Sequence, residues 1–270
     1  MDDFGIVVFS CDKNEEVWPV FKHCIDKYWK NHPKIYLLTE TKKCKDIKTI
    51  CKDYELNKWS RRIRESLAEI PKKNVLFICD DCFLNQEVNI IKLNQSINLL
   101  NHDNVACVQY EVSGDPNDID CEYLGFKKKT PESTYVVSFL CGIWEKEKLI
   151  DILEGDYNPW DLECKQISKG YDYYQVTNKK ILSWYRDGLG DNAALRQGKW
   201  MPGIKEFLSQ ENIDTDLTKK GIWPDNYWPR VFGLYDLIDE KKELIEREKK
   251  ELDKLQNELY ELRTNVENFE

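Results

Sequence analysis

The fold is decided by one stretch of sequence, Val75-Leu-Phe-Ile-Cys-Asp-Asp-Cys-Phe-Leu84. Four consecutive apolar residues lead towards the paired carboxylates of Asp80 and Asp81, after which the chain turns apolar again. An apolar run of this length is typical of a buried strand. Two adjacent carboxylates at the end of such a strand repel one another and lose hydration. They are therefore expected where a cation, a helix N-terminus or a proton offsets this cost.

The acid pair has two interpretations on sequence spacing alone. A hard divalent ion such as Mg²⁺ or Mn²⁺ takes oxygen ligands together with substrate phosphates, and Asp80 and Asp81 would supply such ligands. Alternatively, one aspartate caps the helix that follows and the other faces solvent. Zinc is disfavoured, because Cys79 and Cys82 form a lone CxxC without a second CxxC or a nearby histidine pair. The remaining cysteines are scattered, as expected for reduced thiols in a cytosolic protein.

Apolar periodicity predicts alternating strands and helices around this stretch. The predicted strands cover residues 6–10, 35–39, 75–79 and 105–110, and the predicted helices cover residues 17–29, 59–70 and 90–100. Ser60 is the predicted cap of the second helix, which Pro71 ends. This alternation indicates an α/β domain with a parallel sheet. Asp80 and Asp81 would then lie at the carboxyl edge of the sheet, where ligands bind in folds of this class.

The second half of the chain is less regular. Residues 113–131 are rich in Gly, Pro, Asn and Asp, which indicates a surface loop with little identifiable chemistry. A strand is predicted over residues 135–144 and a helix over residues 145–153. Asn158-Pro159 favours a turn, and the acids Asp161 and Glu163 follow it. Residues 170–200 are aromatic and polar and are predicted to form a loop pinned by tryptophans.

Composition limits the possible functions. The chain has 270 residues, a formal charge of −9 and a pI near 5.1, which argues against a general nucleic-acid binder. The longest apolar run, residues 136–144, is far shorter than the roughly 20 residues that span a bilayer. The N-terminal sequence does not resemble a signal peptide. We therefore expect a cytoplasmic protein without a transmembrane segment, with peripheral attachment to the inner face of the membrane left open.

The segment after the first predicted strand, Ser10 to Glu16, contains no glycine-rich loop. Dinucleotide sites and P-loops need glycines so that backbone N–H groups can approach phosphates, so neither is expected. A nucleotidyltransferase is disfavoured for the same reason, because such enzymes usually carry a glycine-rich, basic loop at this position. The three histidines, His23, His32 and His102, form no recognisable Ser-His-Asp arrangement.

The last 35 residues carry a heptad pattern. Apolar residues recur every seven positions at Ile245, Leu252, Leu259 and Val266, with Leu255, Leu262 and Phe269 between them. Such a seam is typical of a coiled coil, and a single helix cannot bury it alone. We expect an α/β domain over residues 1–235 and a helix over residues 236–270. This helix either pairs with another copy, which gives a homo-oligomer formed through residues 238–270, or folds back on the α/β domain.

Several motifs together resemble a known family. They are Trp59-Ser-Arg-Arg62, the Asp80-Asp81 strand end, Tyr135-Val-Val-Ser-Phe-Leu-Cys-Gly-Ile-Trp144, Asn158-Pro-Trp-Asp-Leu-Glu163 and Gly198-Lys-Trp200. In this order, the chain resembles bacterial glycosyltransferases of the GT-A fold, of the kind that make surface or capsular polysaccharides. The resemblance implies a Rossmann-like, mostly parallel central sheet. It also implies transfer of a sugar from a nucleotide-sugar donor, a UDP-sugar in our expectation, to a glycan or lipid-linked acceptor, with inversion.

The resemblance also implies roles for individual residues. Asp81 would bind Mn²⁺ or Mg²⁺ directly, and Asp80 would contact the donor or a metal-bound water. Cys82 departs from the pattern, because the three-residue version of the motif has a second acid there. The expected donor-binding residues are Ser10, Asp12, Trp59, Arg62, Asp80, Arg196 and Lys199. Arg196 and Lys199 also have the plainer interpretation of solvated loop residues.

Glu163 is the expected catalytic base, with Asp161 as its substitute. An inverting transfer needs a carboxylate beside the acceptor hydroxyl to take its proton. Alternatively, both acids stabilise the first turn of a helix through its macrodipole. A non-catalytic scaffold that binds a sugar or a protein, assembled through the coiled coil, is the second functional hypothesis. It differs from the first at Asp80 and Asp81, where a scaffold needs no metal.

Overall fold

The computed structural model describes residues 3–111, 115–165, 167–177, 181–185 and 193–224, and in the C-terminal segment residues 241, 245, 247–252 and 254–256. The chain divides into two compact units, Met1–Gly221 and Ile222–Glu270. The predicted domain boundary between residues 235 and 236 lies outside the described residues. Within the described part of the chain, no helix has the length and apolar character needed to cross a membrane.

The first unit is built on a nine-stranded sheet with the order β3-β2-β1-β4-β8-β5-β9-β7-β6. The strands are β1 (Phe4–Phe9), β2 (Ile35–Thr39), β3 (Lys48–Cys51), β4 (Asn74–Cys79), β5 (Val105–Gln109), β6 (Ile119–Asp120), β7 (Phe126–Lys128), β8 (Cys141–Glu145) and β9 (Asp172–Val176). Of these described strands, only β7 and β8 run against the others. The expected Rossmann-like, mostly parallel α/β sheet is therefore confirmed.

Six α-helices, two short 3₁₀ helices (Asp12–Asn14 and Leu56–Lys58) and a short hairpin complete the described part of this unit. The helices are α1 (Trp18–Tyr28), α2 (Trp59–Ala68), α3 (Ile90–Leu99), α4 (Lys146–Ile152), α5 (Pro159–Lys165) and α6 (Ile204–Glu211). The hairpin pairs β10 (Leu195–Arg196) with β11 (Lys199–Trp200). Its turn residues, Gln197 and Gly198, both have positive φ angles, as two-residue hairpin turns of type I′ require.

An aromatic cluster packs beneath the carboxyl edge of the central strands. The rings of Phe9 and Phe77 stack with centroids 4.6 Å apart, and Trp59 meets Phe139 edge-on at 5.4 Å. Trp59 therefore anchors the start of α2 in the core. Edge-on and offset aromatic pairs of this kind add stability beyond the area that they bury. They hold the ends of β1 and β4 rigidly.

The order of the strands places a crevice at the ends of β1 and β4. The chain runs from β1 outward to β2 and β3, and then returns to form β4 on the other side of β1. Ligands bind at such a switch point in open α/β sheets, outside the carboxyl ends of the strands. Ser10 follows β1 directly and Asp80 follows β4 directly. The topology thus brings them to one site.

Several local predictions are wrong. Ser60 does not cap α2: Lys58 is the residue at the cap, and the Ser60 hydroxyl donates to the Gly155 carbonyl at 2.8 Å. The strand predicted over residues 135–144 begins only at Cys141: Tyr135 has a φ of +49°, outside the extended region, and residues 136–140 are not in a strand. The supposed loops contain β6, β7, β9 and the hairpin, and the prediction missed β3.

In the C-terminal unit, the described residues 241, 245, 247–252 and 254–256 are helical. Ile245, Leu252 and Leu255 are exposed. The remaining seam residues, Leu259, Leu262, Val266 and Phe269, lie outside the described residues. Self-association through residues 238–270 stays a prediction, and a chain ending at Ile238 should then have a lower assembly state in light scattering.

Candidate functional site

Asp80 lies at the end of β4 and is held by groups from the segment after β1. The Ser10 hydroxyl donates to Asp80 Oδ2, and Trp18 Nε1 in turn donates to Ser10 Oγ at 2.6 Å. Asn14 Nδ2 donates to Asp80 Oδ2 at 3.0 Å and to Oδ1 at 3.3 Å. Both oxygens of this buried carboxylate therefore accept hydrogen bonds from neutral donors, which fix its position without cancelling its charge.

Asp81 attaches the β10–β11 hairpin to the end of β4. Its Oδ2 accepts from the Leu195 amide at 3.1 Å, and its carbonyl accepts from the Ala194 amide at 3.0 Å. In the described part of the chain, neither aspartate is the cap residue of a helix. The next helix, α3, begins ten residues after Asp80 and is capped by Asn89, which accepts from the Lys92 amide at 3.1 Å. The capping interpretation of the acid pair is therefore wrong.

The two carboxylates disturb each other electrostatically. Burial, and then the charge of Asp81, raise the pKa of Asp80 to about 7, although Ser10, Asn14 and Lys220 oppose the shift. Burial, and then the charges of Asp81 and Asp80, raise the pKa of the Cys79 thiol. Ligand atoms of Cys79, Asp80 and Asp81 lie within 4.8 Å of one another. Two carboxylates beside a protonated thiol fit a hard divalent ion better than zinc.

Asp12, Glu40 and Arg62 tie together the segments that follow β1 and β2. The Asp12 carboxylate accepts from the amides of Thr41 and Lys42 at 3.0–3.1 Å. Glu40 accepts from the Asp12 amide and from Arg62 Nη1, and Arg62 Nη2 donates to the Ser10 carbonyl at 2.8 Å. The buried Arg62 side chain thus stabilises the backbone at Ser10.

Two cavities meet at these segments. A cavity of about 430 Å³ has aromatic and aliphatic walls from Tyr54, Leu56 and Trp59, with Glu40 and Arg62 at its polar end. A larger cleft of about 780 Å³ contains Asp80 and Asp81. Both are lined by the same segment, residues 11–13. The structure thus places the predicted residues Asp12, Trp59, Arg62, Asp80 and Asp81 on the walls of two cavities that share the segment 11–13.

The larger cleft is rich in lysine. Five lysines line it: Lys13, Lys42, Lys199, Lys219 and Lys220. The hairpin places Lys199 there as expected, whereas Arg196, its partner across the hairpin, is not among the lining residues. Trp160 also lines the cleft and is 63% exposed, so it is available for stacking rather than committed to packing.

Lys220 orients the side chain of Asn14 through a hydrogen bond to its amide oxygen. Its ammonium donates to Asn14 Oδ1 at 2.8 Å and to the Lys13 carbonyl at 2.6 Å, and lies 3.5 Å from Glu16. Because the ammonium holds the amide oxygen, the amide nitrogen of Asn14 must face Asp80. Sequence reasoning missed both Asn14 and Lys220. No local pattern links two residues 206 positions apart.

The two predicted catalytic acids are separated by the structure. Asp161 forms a reciprocal cap with Asn158: its amide donates to Asn158 Oδ1 at 2.9 Å and its Oδ2 accepts from Asn158 Nδ2 at 2.7 Å. Asp161 therefore lies in the first turn of α5, whose N-terminus is capped by Asn158. Glu163 lines a third cavity, of about 440 Å³, and its Oε1 accepts from the Phe139 amide at 2.7 Å. Burial raises the pKa of Glu163, which keeps a stronger base in this cavity.

The comparisons with known proteins show no family for this chain. No family model matches it, and no curated protein matches it. Among solved structures, a cytidylyltransferase from Leptospira borgpetersenii is 11% identical with a TM-score of 0.47, over 88% of this chain and 97% of that chain. S. aureus TarS (residues 1–349) is 11% identical with a TM-score of 0.43, over 66% and 59%.

The bifunctional IspDF from Campylobacter jejuni is 11% identical with a TM-score of 0.41, over 67% of this chain. The match spans about half of that protein, 51%. The similar structures include nucleotidyltransferases and TarS. With TM-scores below 0.5, their likeness carries no argument about which reaction this chain performs.

Proposed function

We propose that this chain is a metal-dependent glycosyltransferase that moves a sugar from a nucleoside diphosphate sugar to a glycan or lipid-linked acceptor. The observation that supports this proposal most is the acid pair. Asp80 and Asp81 are buried side by side at the switch point of the sheet, and the charge of Asp81 raises the pKa of Asp80. A divalent cation offsets this repulsion, and its remaining coordination positions suit a diphosphate.

The two cavities, which share the segment 11–13 as a wall, suit the two ends of such a donor. The nucleoside would occupy the smaller cavity, where Tyr54 and Trp59 supply apolar walls. The diphosphate would lie in the larger cleft, with Asp81 as a metal ligand and Asp80 beside it. Lys199 would add a positive contact. A net-acidic protein needs such local positive charge to hold an anionic substrate.

The metal, when bound, would neutralise charge that develops on the leaving diphosphate. The chain itself would supply the base. The acceptor oxygen forms a bond to the anomeric carbon as the bond from that carbon to the phosphate oxygen breaks, and Glu163 takes the acceptor proton. A base on the side of the sugar away from the diphosphate gives inversion. We propose a UDP-sugar as the donor on the strength of the family resemblance.

Two other functions give different ligand responses. A nucleotidyltransferase would bind a nucleoside triphosphate, but residues 10–16 carry Asp12, Glu15 and Glu16 and contain no glycine. A non-catalytic scaffold would not need a metal at the acid pair. The three functions predict different nucleotides as the ones that stabilise the protein. They also differ in whether that stabilisation depends on metal.

Thermal unfolding tests the proposal directly. Nucleoside diphosphates, nucleotide sugars and nucleoside triphosphates are each added with and without Mn²⁺. We expect UDP and UDP-sugars to raise Tm only with Mn²⁺, by roughly 5 °C at about 100 times Kd. Asp81→Ala should abolish the shift, and the exposed Asp103→Ala should keep it. A shift with triphosphates alone would indicate nucleotidyl transfer, and no shift with any nucleotide would support the scaffold.

A further inference from the structure

The third cavity, which contains Glu163, has more polar groups than a catalytic base alone requires. It lies beside the donor cleft, since Ala193 lines the third cavity and Leu195, two residues later, lines the cleft. Its walls carry amide, hydroxyl, carboxylate and ammonium groups, with one aromatic ring. The lining residues of this kind include Gln109, Glu111, Lys129, Thr134, Tyr135 and Ser138.

Tyr135 is the unusual member of this wall. Its φ of +49° lies in the left-handed region, which glycine adopts readily and residues with bulky side chains rarely adopt. Its side chain is 58% exposed, so packing in the core does not explain the conformation. A strained residue of this kind persists only where its surroundings fix it, and such residues are frequent at ligand sites.

Three buried polar side chains fix the backbone on both sides of Tyr135. Gln109 Nε2 donates to the carbonyls of Tyr135 at 3.3 Å and Val136 at 2.8 Å. Lys129 Nζ donates to the Thr134 carbonyl at 3.1 Å. Asp115 accepts from the Thr134 amide at 2.6 Å and from the Thr134 hydroxyl. These contacts come from β5, from the segment before β6 and from the residue after β7, and together they fix the backbone around Tyr135, which lines the cavity.

The charges around the cavity favour an uncharged ligand. Lys129 Nζ lies 3.6 Å from Asp118 Oδ1, and both side chains are almost completely buried, so the ammonium charge is balanced within the protein. Glu111 and Glu163 are both on the wall, and the charge of Glu111 contributes to the raised pKa of Glu163. An incoming carboxylate or phosphate would meet the same repulsion.

We propose that this cavity binds an uncharged pyranose residue, with Tyr135 as an aromatic platform for one face of the ring and the polar wall as partners for its hydroxyls. An aromatic wall with a few placed polar groups is the usual composition of a small-ligand pocket. The inference rests on the proposed function, because it makes the pyranose part of the acceptor, held beside Glu163. It adds that the acceptor sugar carries no negative charge.

Saturation-transfer NMR on the full chain tests this inference. The probes are methyl β-D-glucopyranoside, methyl β-D-galactopyranoside and the anionic methyl β-D-glucuronide, each with and without UDP and Mn²⁺. We expect at least one neutral glycoside to bind the unmodified protein and Tyr135→Phe at millimolar concentration. Its affinity should fall at least about tenfold in Tyr135→Ala and Tyr135→Asn, and the glucuronide should bind more weakly.

Tyr135→Asn separates binding from folding, because asparagine adopts the left-handed conformation readily. Its Tm should not fall below that of the unmodified protein while glycoside binding is lost. Equal binding by Tyr135→Asn, preference for the glucuronide, or no binding of any probe would each overturn the inference. The Mn²⁺-dependent effect of UDP on Tm is independent of these results, so failure here and failure of the donor proposal can be told apart.

Discussion

The cleft at the end of β4 and the surroundings of the Glu163 cavity each contain a buried aspartate, but the negative charge is compensated differently in the two places. In the cleft, Asp80 is held by a hydroxyl and an amide and stands next to a second carboxylate, and its pKa is raised to about 7. Behind the cavity wall, Asp118 faces the ammonium of Lys129 across 3.6 Å. The first arrangement leaves negative charge for a ligand to balance, whereas the second is already balanced and serves structure.

The largest expected effect comes from breaking the balanced pair. Lys129→Met should destabilise the protein by about 4 kcal/mol, because it leaves Asp118 buried without its cation. Urea unfolding measures this change. Lys127→Met is the matched control two residues away. Lys127 pairs with Asp120, which is 94% exposed, so its loss should change stability by less than about 1 kcal/mol. Equal effects of the two substitutions would contradict the distinction between a paired and a solvated lysine.

The acid pair should make the stability of the protein depend on pH, and replacing Asp80 should stabilise the protein at high pH relative to low pH. The folded protein keeps a proton on Asp80 between its ordinary pKa of 3.8 and about 7, whereas the unfolded chain has lost it. The folded state therefore binds more protons in this window, and its stability falls as pH rises through it. Asp80→Asn removes this dependence.

The measurement is urea unfolding of both proteins in EDTA at roughly pH 5 and pH 8. The stability of Asp80→Asn relative to the unmodified protein should rise by about 3 kcal/mol between the two, and comparing the proteins cancels other titrating groups. Mn²⁺ should stabilise the unmodified protein most at the higher pH. A relative stability that does not change with pH would mean that Asp80 is ionised throughout, and that the cleft is balanced like the cavity.

The cleft was largely predictable from sequence, because its key residues follow regular strands. Apolar runs fixed β1, β2 and β4 to within two residues at each end, and parallel order then placed Ser10 and Asp80 at one edge. What sequence could not supply is the support behind them. The contacts of Asn14 with Asp80 and with Lys220 join residues far apart in the chain.

The Glu163 cavity was poorly predictable for a physical reason. Val136, Val137 and Phe139 are buried and apolar, so their pattern predicts a strand. Residues 136–140 are nevertheless not in a strand, and the carbonyls of Tyr135 and Val136 accept hydrogen bonds from the side chain of Gln109 on β5. The turn-rich composition of residues 113–131 predicts an exposed loop, so it gives no sign that Lys129 is buried. Only the tertiary fold brings Lys129 to its ion partner Asp118.

The smallest expected effect tests whether the support of the cleft matters to metal binding. Asn14→Ala removes the two amide hydrogen bonds to Asp80 and leaves the formal charge of the site unchanged. Groups that orient a metal ligand typically contribute about tenfold or more to affinity, so the Kd for Mn²⁺ in calorimetric titration should rise about tenfold. The exposed Asn57→Ala is the control and should bind Mn²⁺ like the unmodified protein. If Asn14→Ala binds equally well, Asp80 needs no support from the segment after β1, and Asp81 with its hairpin defines the metal site.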